Sequence, residues 1–303
     1  MRSVLTILLL LATLVVASAG WSQEDSPQAP ALSGNGADGC LGCHKDPELQ
    51  GVFASVHGER DDARTPFGQL ECESCHGPRG RHPMGGRESV ITFGKDALTP
   101  VDEQNAACLG CHESPVGNDW HAGEHAAQDL SCAGCHRAHQ AKDPVMSSAT
   151  QADTCYECHQ RQRSQVQKPY AHPVRFGRMD CSSCHAPHGS ATEGSLRRLT
   201  LNETCYECHA EKRGPFAFEH QPATEDCSLC HAPHGSNHPA MLTRRAPLLC
   251  QQCHSQQGHP SLSLTSSGLP SGSPSGFLLG GSCLNCHAQV HGSNHPSGIT
   301  QMR

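Results

Sequence analysis

Ten copies of the pattern Cys-x-x-Cys-His account for every cysteine in this 303-residue chain. The pattern is the attachment signature of c-type haem, in which two thiols bind the porphyrin edge and the histidine becomes an axial ligand of the iron. Since no cysteine is left over, the sequence predicts ten covalently bound haem c groups. The attachment residues are Cys40, Cys43, Cys72, Cys75, Cys108, Cys111, Cys132, Cys135, Cys155, Cys158, Cys181, Cys184, Cys205, Cys208, Cys227, Cys230, Cys250, Cys253, Cys283 and Cys286.

Two other uses of paired cysteines are possible. A disulfide framework would not need a histidine at the same offset in all ten places. Structural zinc sites would need two further ligands each, at finger-like or ribbon-like spacings. Both explain the repeated histidine less well than haem does.

The N-terminus predicts export. Residues 1–19 have a basic start, a short apolar run and the small-residue end Ala17-Ser18-Ala19, as a secretory signal peptide does. Residues 20–38 are expected to be a disordered leader. The net charge of −7 and the lack of a basic patch give no indication of a nucleic-acid partner.

The composition predicts a fold built around the cofactors. Leu, Ile, Val and Phe make up only about 13% of the residues after Ala19, a share at which disorder is otherwise expected. The chain also has 30 Gly and 21 Pro, which disfavour long helices and strands. We therefore expect a multihaem cytochrome c with few short α-helices, long loops and little or no β-structure, which does not fold without haem.

The motifs form an internal repeat. They fall into five two-haem units, each with the order motif, histidine, motif, histidine, and units three and four share long identical stretches such as the HAPHGS at residues 185–190 and 231–236. This predicts an elongated array of five modules that need their neighbours for burial. The Ser/Gly/Pro-rich residues 261–282 are expected to be a flexible insert, for which contact with a partner is the alternative role.

The histidines supply a candidate second ligand for every iron. Of 23 histidines, ten lie in motifs: His44, His76, His112, His136, His159, His185, His209, His231, His254 and His287. The ten predicted distal ligands are His57, His82, His125, His139, His172, His188, His220, His234, His259 and His291. The three remaining histidines are His121, His238 and His295, any of which could replace its neighbour. The sequence does not pair distal histidines with motifs.

Ligand type bears on function. An iron with two imidazole ligands is saturated, so it exchanges electrons and has no open position for a substrate. No methionine recurs with the repeat, and no motif lacks its histidine. These observations favour an electron carrier over an enzyme.

The chain resembles the MtrA/DmsE-type periplasmic decahaem cytochromes. The resemblance rests on ten motifs in about 300 residues, the opening CLGCH at residues 40–44, the TPFG at 65–68, the CESCHGP at 72–78 and the recurring CHxPHG segments. It implies two pentahaem halves, residues 39–160 and 161–303. It also implies a periplasmic wire carrying electrons between periplasm and cell exterior inside an outer-membrane β-barrel protein. Implied partners are an extracellular multihaem cytochrome or terminal reductase and a periplasmic or inner-membrane cytochrome. A soluble periplasmic shuttle or electron store ranks second, and a multihaem reductase third.

Overall fold

The computed structural model describes residues 32–85, 90–113, 118–254 and 283–302. The predicted signal peptide, most of the predicted leader, the insert at 261–282 and the candidate ligand His259 lie outside these residues. The division at residue 160 into two halves stays a prediction.

The α-helices are short, and the longest in the described part of the chain has nine residues. They are α1 Gly36–Leu41, α2 Pro66–Gln69, α3 Glu73–His76, α4 Val101–Leu109, α5 Asn118–His121, α6 Glu124–Ala127, α7 Cys132–Cys135, α8 Gln151–Tyr156, α9 Gln160–Val166, α10 Leu201–Tyr206, α11 Gln221–Glu225 and α12 Ala246–Cys250. Among these residues, no helix is both long and apolar enough to cross a membrane.

Turns of 3₁₀ helix fill many of the connections, several of them starting at proline. They are Pro47–Ala54, Val56–Gly58, His82–Met84, Pro144–Met146, Pro173–Phe176, Cys181–Ser183, Glu193–Ser195, Ala210–Lys212, Cys227–Leu229, Pro239–Met241, Cys283–Asn285 and Gly298–Thr300. The β-structure of the described residues is one antiparallel pair, β1 Phe218–Glu219 and β2 Gly292–Ser293, with Phe218 opposite Ser293, together with a few isolated bridges. The predicted fold class is confirmed.

All ten motifs fold into the same hydrogen-bonded turn. In each, the histidine N–H donates to the carbonyl of the first cysteine, at 2.9–3.0 Å. The first motif of each unit starts within or at the end of an α-helix, as Cys108 does in α4. The second starts at a short helical turn, as Cys132 does in α7. One turn of helix thus holds both thiols and the imidazole of each motif close together.

The apolar core is small. The buried apolar side chains among the described residues are Ala37, Phe67, Trp120, Ala152, Tyr156 and Val166. Three of them form one cluster, Ala152, Tyr156 and Val166. Several of the most buried residues are polar instead, led by Gln104, whose amide bonds Thr99 and Gly94 at 2.8 and 3.0 Å.

The described part of the chain begins inside the segment predicted to be a leader. Helix α1 starts at Gly36, Ala37 is fully buried, and the Ser33 N–H donates to the Glu73 carboxylate at 2.9 Å. Residues 33–38 of the predicted leader are therefore packed against the rest of the chain. The physical reason is that the helix leading into Cys40 needs residues before the motif, and these contact the second motif segment.

Candidate haem-binding array

The first cysteines of the two motifs in each unit lie against one another. The contacting pairs are Cys40 with Cys72, Cys108 with Cys132, Cys155 with Cys181, Cys205 with Cys227, and Cys250 with Cys283. Burial and the neighbouring thiol raise the pKa of Cys72 to about 11 and that of Cys205 to about 12. The predicted two-motif unit is thus a physical unit, with its two attachment points adjacent.

Successive units meet through their second cysteines. Burial is the main cause that raises the pKa of four second cysteines, Cys75, Cys135, Cys184 and Cys230. The negative charge of the second cysteine in the following motif raises each pKa further. Those neighbours are Cys111, Cys158, Cys208 and Cys253 respectively. Cysteines of motifs that are consecutive in the chain are therefore near one another from the first motif to the tenth.

Two asparagines link the two motif segments within their units. Sequence patterns did not indicate this role. The Asn105 amide donates to Leu130 O at 3.2 Å, and its oxygen accepts from the Cys132 N–H at 2.8 Å. Asn202 does the same in unit four, accepting from the Cys227 N–H at 2.8 Å. Both are buried. Their shared position three residues before a motif was the signal that could have identified them.

The imidazoles form pairs. Nine motif histidines each have the ring of one predicted distal histidine at a centroid distance of 5.9–6.4 Å. The pairs are His44–His82, His76–His139, His112–His57, His136–His188, His159–His125, His185–His234, His209–His172, His231–His291 and His254–His220. Every described member of the predicted distal set takes part.

This spacing fits an iron between the rings. Metal–imidazole nitrogen bonds are about 2.0–2.1 Å long, so two imidazoles on opposite sides of one metal have centroids roughly 6 Å apart. The interplanar angles range from 12° to 85°, which the arrangement permits because each ring can rotate about its metal–nitrogen bond. In the described residues, no three His, Cys, Asp or Glu side chains converge as structural zinc needs, and no cysteine pair is disulfide-bonded.

Burial favours the neutral imidazoles that bind metals. Desolvation lowers the pKa of His57, His76, His139, His188, His234 and His291. Because neutral imidazole offers a free ring nitrogen, these side chains are in the form that a haem iron requires.

Most pairs cross from one unit to the next. The first distal histidine of a unit faces the first motif of the following unit, as His125 faces His159. The second distal histidine faces the second motif of the preceding unit, as His188 faces His136. The exception is unit one, where His82 faces His44 of the same unit. Neighbouring units therefore exchange histidines in both directions.

The Nδ1 atoms fix the orientation of many rings. His125, His172 and His220 donate through Nδ1 to Pro187, Pro233 and Val290 oxygens at 2.8–2.9 Å. Each acceptor directly precedes a second distal histidine of the next unit. This leaves Nε2 of each ring to face its partner imidazole.

The histidines that the sequence left as replacements are placed differently from the chosen ones. Among the described residues, His121, His238 and His295 have no ring facing a motif imidazole, and His295 bonds Ser297 at 2.8 Å. His125, His234 and His291 do face motif rings. His287 belongs to the tenth motif, and its predicted partner His259 lies outside the described residues.

Glycines after the second distal histidines allow the units to approach. Gly235 has φ +134°, and a Cβ there would lie 2.3 Å from Gln165 O of the preceding segment. Gly189 and Gly292 also have positive φ and similarly close neighbours. The recurring His-Gly-Ser is therefore a docking element, since only glycine permits both this backbone conformation and the contact.

Replacing Gly235 by alanine should undock this loop. We expect Gly235→Ala to lower the free energy of unfolding by about 3 kcal/mol or more and to produce a high-spin signal from the His185 site. Gly94→Ala is the control, since Gly94 also has positive φ, +114°, but open space at its Cβ. That variant should lose only about 1–3 kcal/mol. Denaturant unfolding and electron paramagnetic resonance of the haem-loaded variants measure both effects; equal losses would contradict the docking role.

Fold and site together define a multihaem c-type cytochrome: short helices, minimal β-structure, repeated attachment turns and facing imidazoles. Family models agree, with a cytochrome c-type protein NrfB-like match at residues 72–151 and a doubled CXXCH motif at 172–214 and 220–259. The chain binds haem c and functions in electron transport.

The relatives identify the family. The chain is 49% identical to the multiheme cytochrome MtrA of Shewanella baltica over 269 residues, which cover 88% of this chain and 81% of that protein. The protein belongs to the MtrA family, as the motif pattern indicated. It is also 28% identical to the cytochrome c-type protein NrfB of Haemophilus influenzae over 147 residues, 41% of this chain and 65% of that protein.

Proposed function

We propose that this protein is a decahaem electron conduit with two histidine ligands on every iron, and that it is not an enzyme. The observation that carries the proposal is the set of nine imidazole pairs with centroids 5.9–6.4 Å apart. Each pair joins one motif histidine to one non-motif histidine, as an iron with two axial ligands requires. For the tenth site we propose His287 with His259, which completes unit five within itself as His44 and His82 complete unit one.

The residues of the chain have distinct tasks in this proposal. The cysteines of each motif would hold a porphyrin covalently, and the paired imidazoles would bind its iron. Haem bound in this way supplies reversible one-electron chemistry without an open coordination site. The cysteines of successive motifs lie near one another in the order of the chain. This succession supports conduction from one end of the array to the other.

The location and partners follow from the family resemblance and the N-terminus. We propose export by cleavage of residues 1–19, a position in the periplasm, and association with the outer membrane inside a β-barrel protein. Electrons would pass between a periplasmic or inner-membrane cytochrome and an extracellular multihaem cytochrome or terminal reductase. The relative MtrA and the motif segments at 40–44, 65–68 and 72–78 support this assignment.

Two measurements test the proposal. Intact-mass analysis and electron paramagnetic resonance of the purified protein should give ten haems, all low-spin. One five-coordinate high-spin iron would contradict the saturated conduit and favour a reductase. Membrane fractionation should recover the protein with an outer-membrane β-barrel protein; recovery only in the soluble periplasmic fraction would favour the shuttle.

A further inference from the structure

In one of the imidazole pairs, the motif histidine is hydrogen-bonded to a carboxylate. His136 is the histidine of the fourth motif, and its Nδ1 lies 2.6 Å from Oδ2 of Asp143. The Asp143 side chain is 20% exposed and that of His136 is 35% exposed. A charge-assisted hydrogen bond of this length, partly shielded from water, is among the stronger kinds of hydrogen bond in proteins.

The equivalent histidines in the other four units donate to backbone carbonyls. His76, His185, His231 and His287 bond Ile91 O, Gly194 O, Ala240 O and Thr300 O at 2.6–2.8 Å. All five second-motif histidines thus have a fixed Nδ1 partner, and only in unit two is that partner negatively charged. Unit two therefore differs from the other units in the charge of the Nδ1 acceptor and not in the length of the hydrogen bond.

The carboxylate is held in place by the backbone around it. Its other oxygen, Oδ1, accepts from the N–H groups of Arg137 and Val145 at 3.2 and 3.3 Å. Asp143 is also the N-cap of the turn Pro144–Met146. With Oδ1 engaged by the backbone, Oδ2 stays directed at the imidazole.

A carboxylate on the outer ring nitrogen makes an imidazole a stronger electron donor to its metal. Electron donation and nearby negative charge stabilise ferric over ferrous iron, so they lower the reduction potential of a haem. Accordingly, and resting on the ligation proposed above, we infer that Asp143 is a positioning residue that makes the His136 site the lowest-potential site among the second-motif sites. In the order of the chain, this site stands between the third and fifth motifs.

The test is an equilibrium redox titration of the full-length haem-loaded protein, followed by its visible absorbance. Asp143→Asn removes the charge and keeps an oxygen for the helix cap. We expect about one tenth of the absorbance change to shift positively, with at least a tenfold change in the ferric-to-ferrous ratio of that site, or about 59 mV. Asp143→Ser is a second neutral variant with a cap acceptor. Loss of the same component from the low-spin signal in His188→Ala assigns it to this site.

Asp46→Asn is the matched control. Asp46 also precedes a proline, caps the 3₁₀ turn Pro47–Ala54 and accepts from the Glu48 N–H at 3.0 Å, but in this structure it bonds no described imidazole. Its titration should overlay that of the unchanged protein. An unshifted Asp143→Asn, or an equal shift in Asp46→Asn, overturns the inference. If the unchanged protein lacks low-spin irons, the proposed ligation itself fails, which separates the two outcomes.

Discussion

A chain with every motif cysteine replaced by alanine is expected not to fold at all. The described residues bury only six apolar side chains, each contributing at most about 3 kcal/mol. Each ordered residue costs about 1–2 kcal/mol of backbone entropy. The porphyrins must therefore supply the missing apolar surface, and the ligand pairs that join neighbouring units depend on them as well.

The measurement is small-angle scattering with far-ultraviolet circular dichroism on the haem-free chain. We expect the radius of gyration to approach the roughly 60 Å of an unfolded chain of this length, with no cooperative thermal transition. The control is the same sequence with its cysteines intact, produced with haem attachment. A compact haem-free chain that unfolds cooperatively would show that the polypeptide has a sufficient core of its own.

The second large effect is expected from His125→Ala. Its ring faces His159 at 6.2 Å, so its removal should leave the fifth motif's iron with one protein ligand. The expected result is one high-spin iron, about one tenth of the total, detected by electron paramagnetic resonance and by a new charge-transfer band.

His121→Ala provides a control from the same segment. His121 ends helix α5, four residues before His125, and its side chain is exposed. This variant should keep every iron low-spin. If His121→Ala produced the high-spin signal and His125→Ala did not, the ligand assignment of unit two would be reversed.

The sequence predicted the architecture well because the motif repeat leaves few alternatives. Spacing within Cys-x-x-Cys-His implies a one-turn geometry, and all ten described motifs have it. The Gly and Pro content predicted short helices and the shortage of apolar residues predicted a small core, and the structure confirms both. Residues 33–38 were included in the predicted leader because nothing in them indicated that Ser33 would bond Glu73 across 40 residues.

The particular contacts within and between units could not be predicted from the sequence. In the sequence, Asn105 and Asn202 resemble ordinary helix residues. Only the structure shows that each accepts a hydrogen bond from the N–H of the first cysteine in the next motif. Asp143 reads as a turn residue before proline, and only the fold brings its second oxygen to His136. Such roles depend on long-range approach, which local sequence patterns do not encode.

Covalent and coordination chemistry are local properties, and so the sequence by itself determined the supply of histidines and predicted the haem attachment residues and the division into five units. The tertiary structure decided which histidine faces which motif. Partners such as His125 with His159 and His188 with His136 come from neighbouring units. Whether these rings face each other depends on how one unit docks on the next. The docking contacts are close backbone approaches at glycines such as Gly235 and hydrogen bonds from histidine Nδ1 to the following unit. Docking is a property of packed surfaces, and spacing along a chain does not specify it.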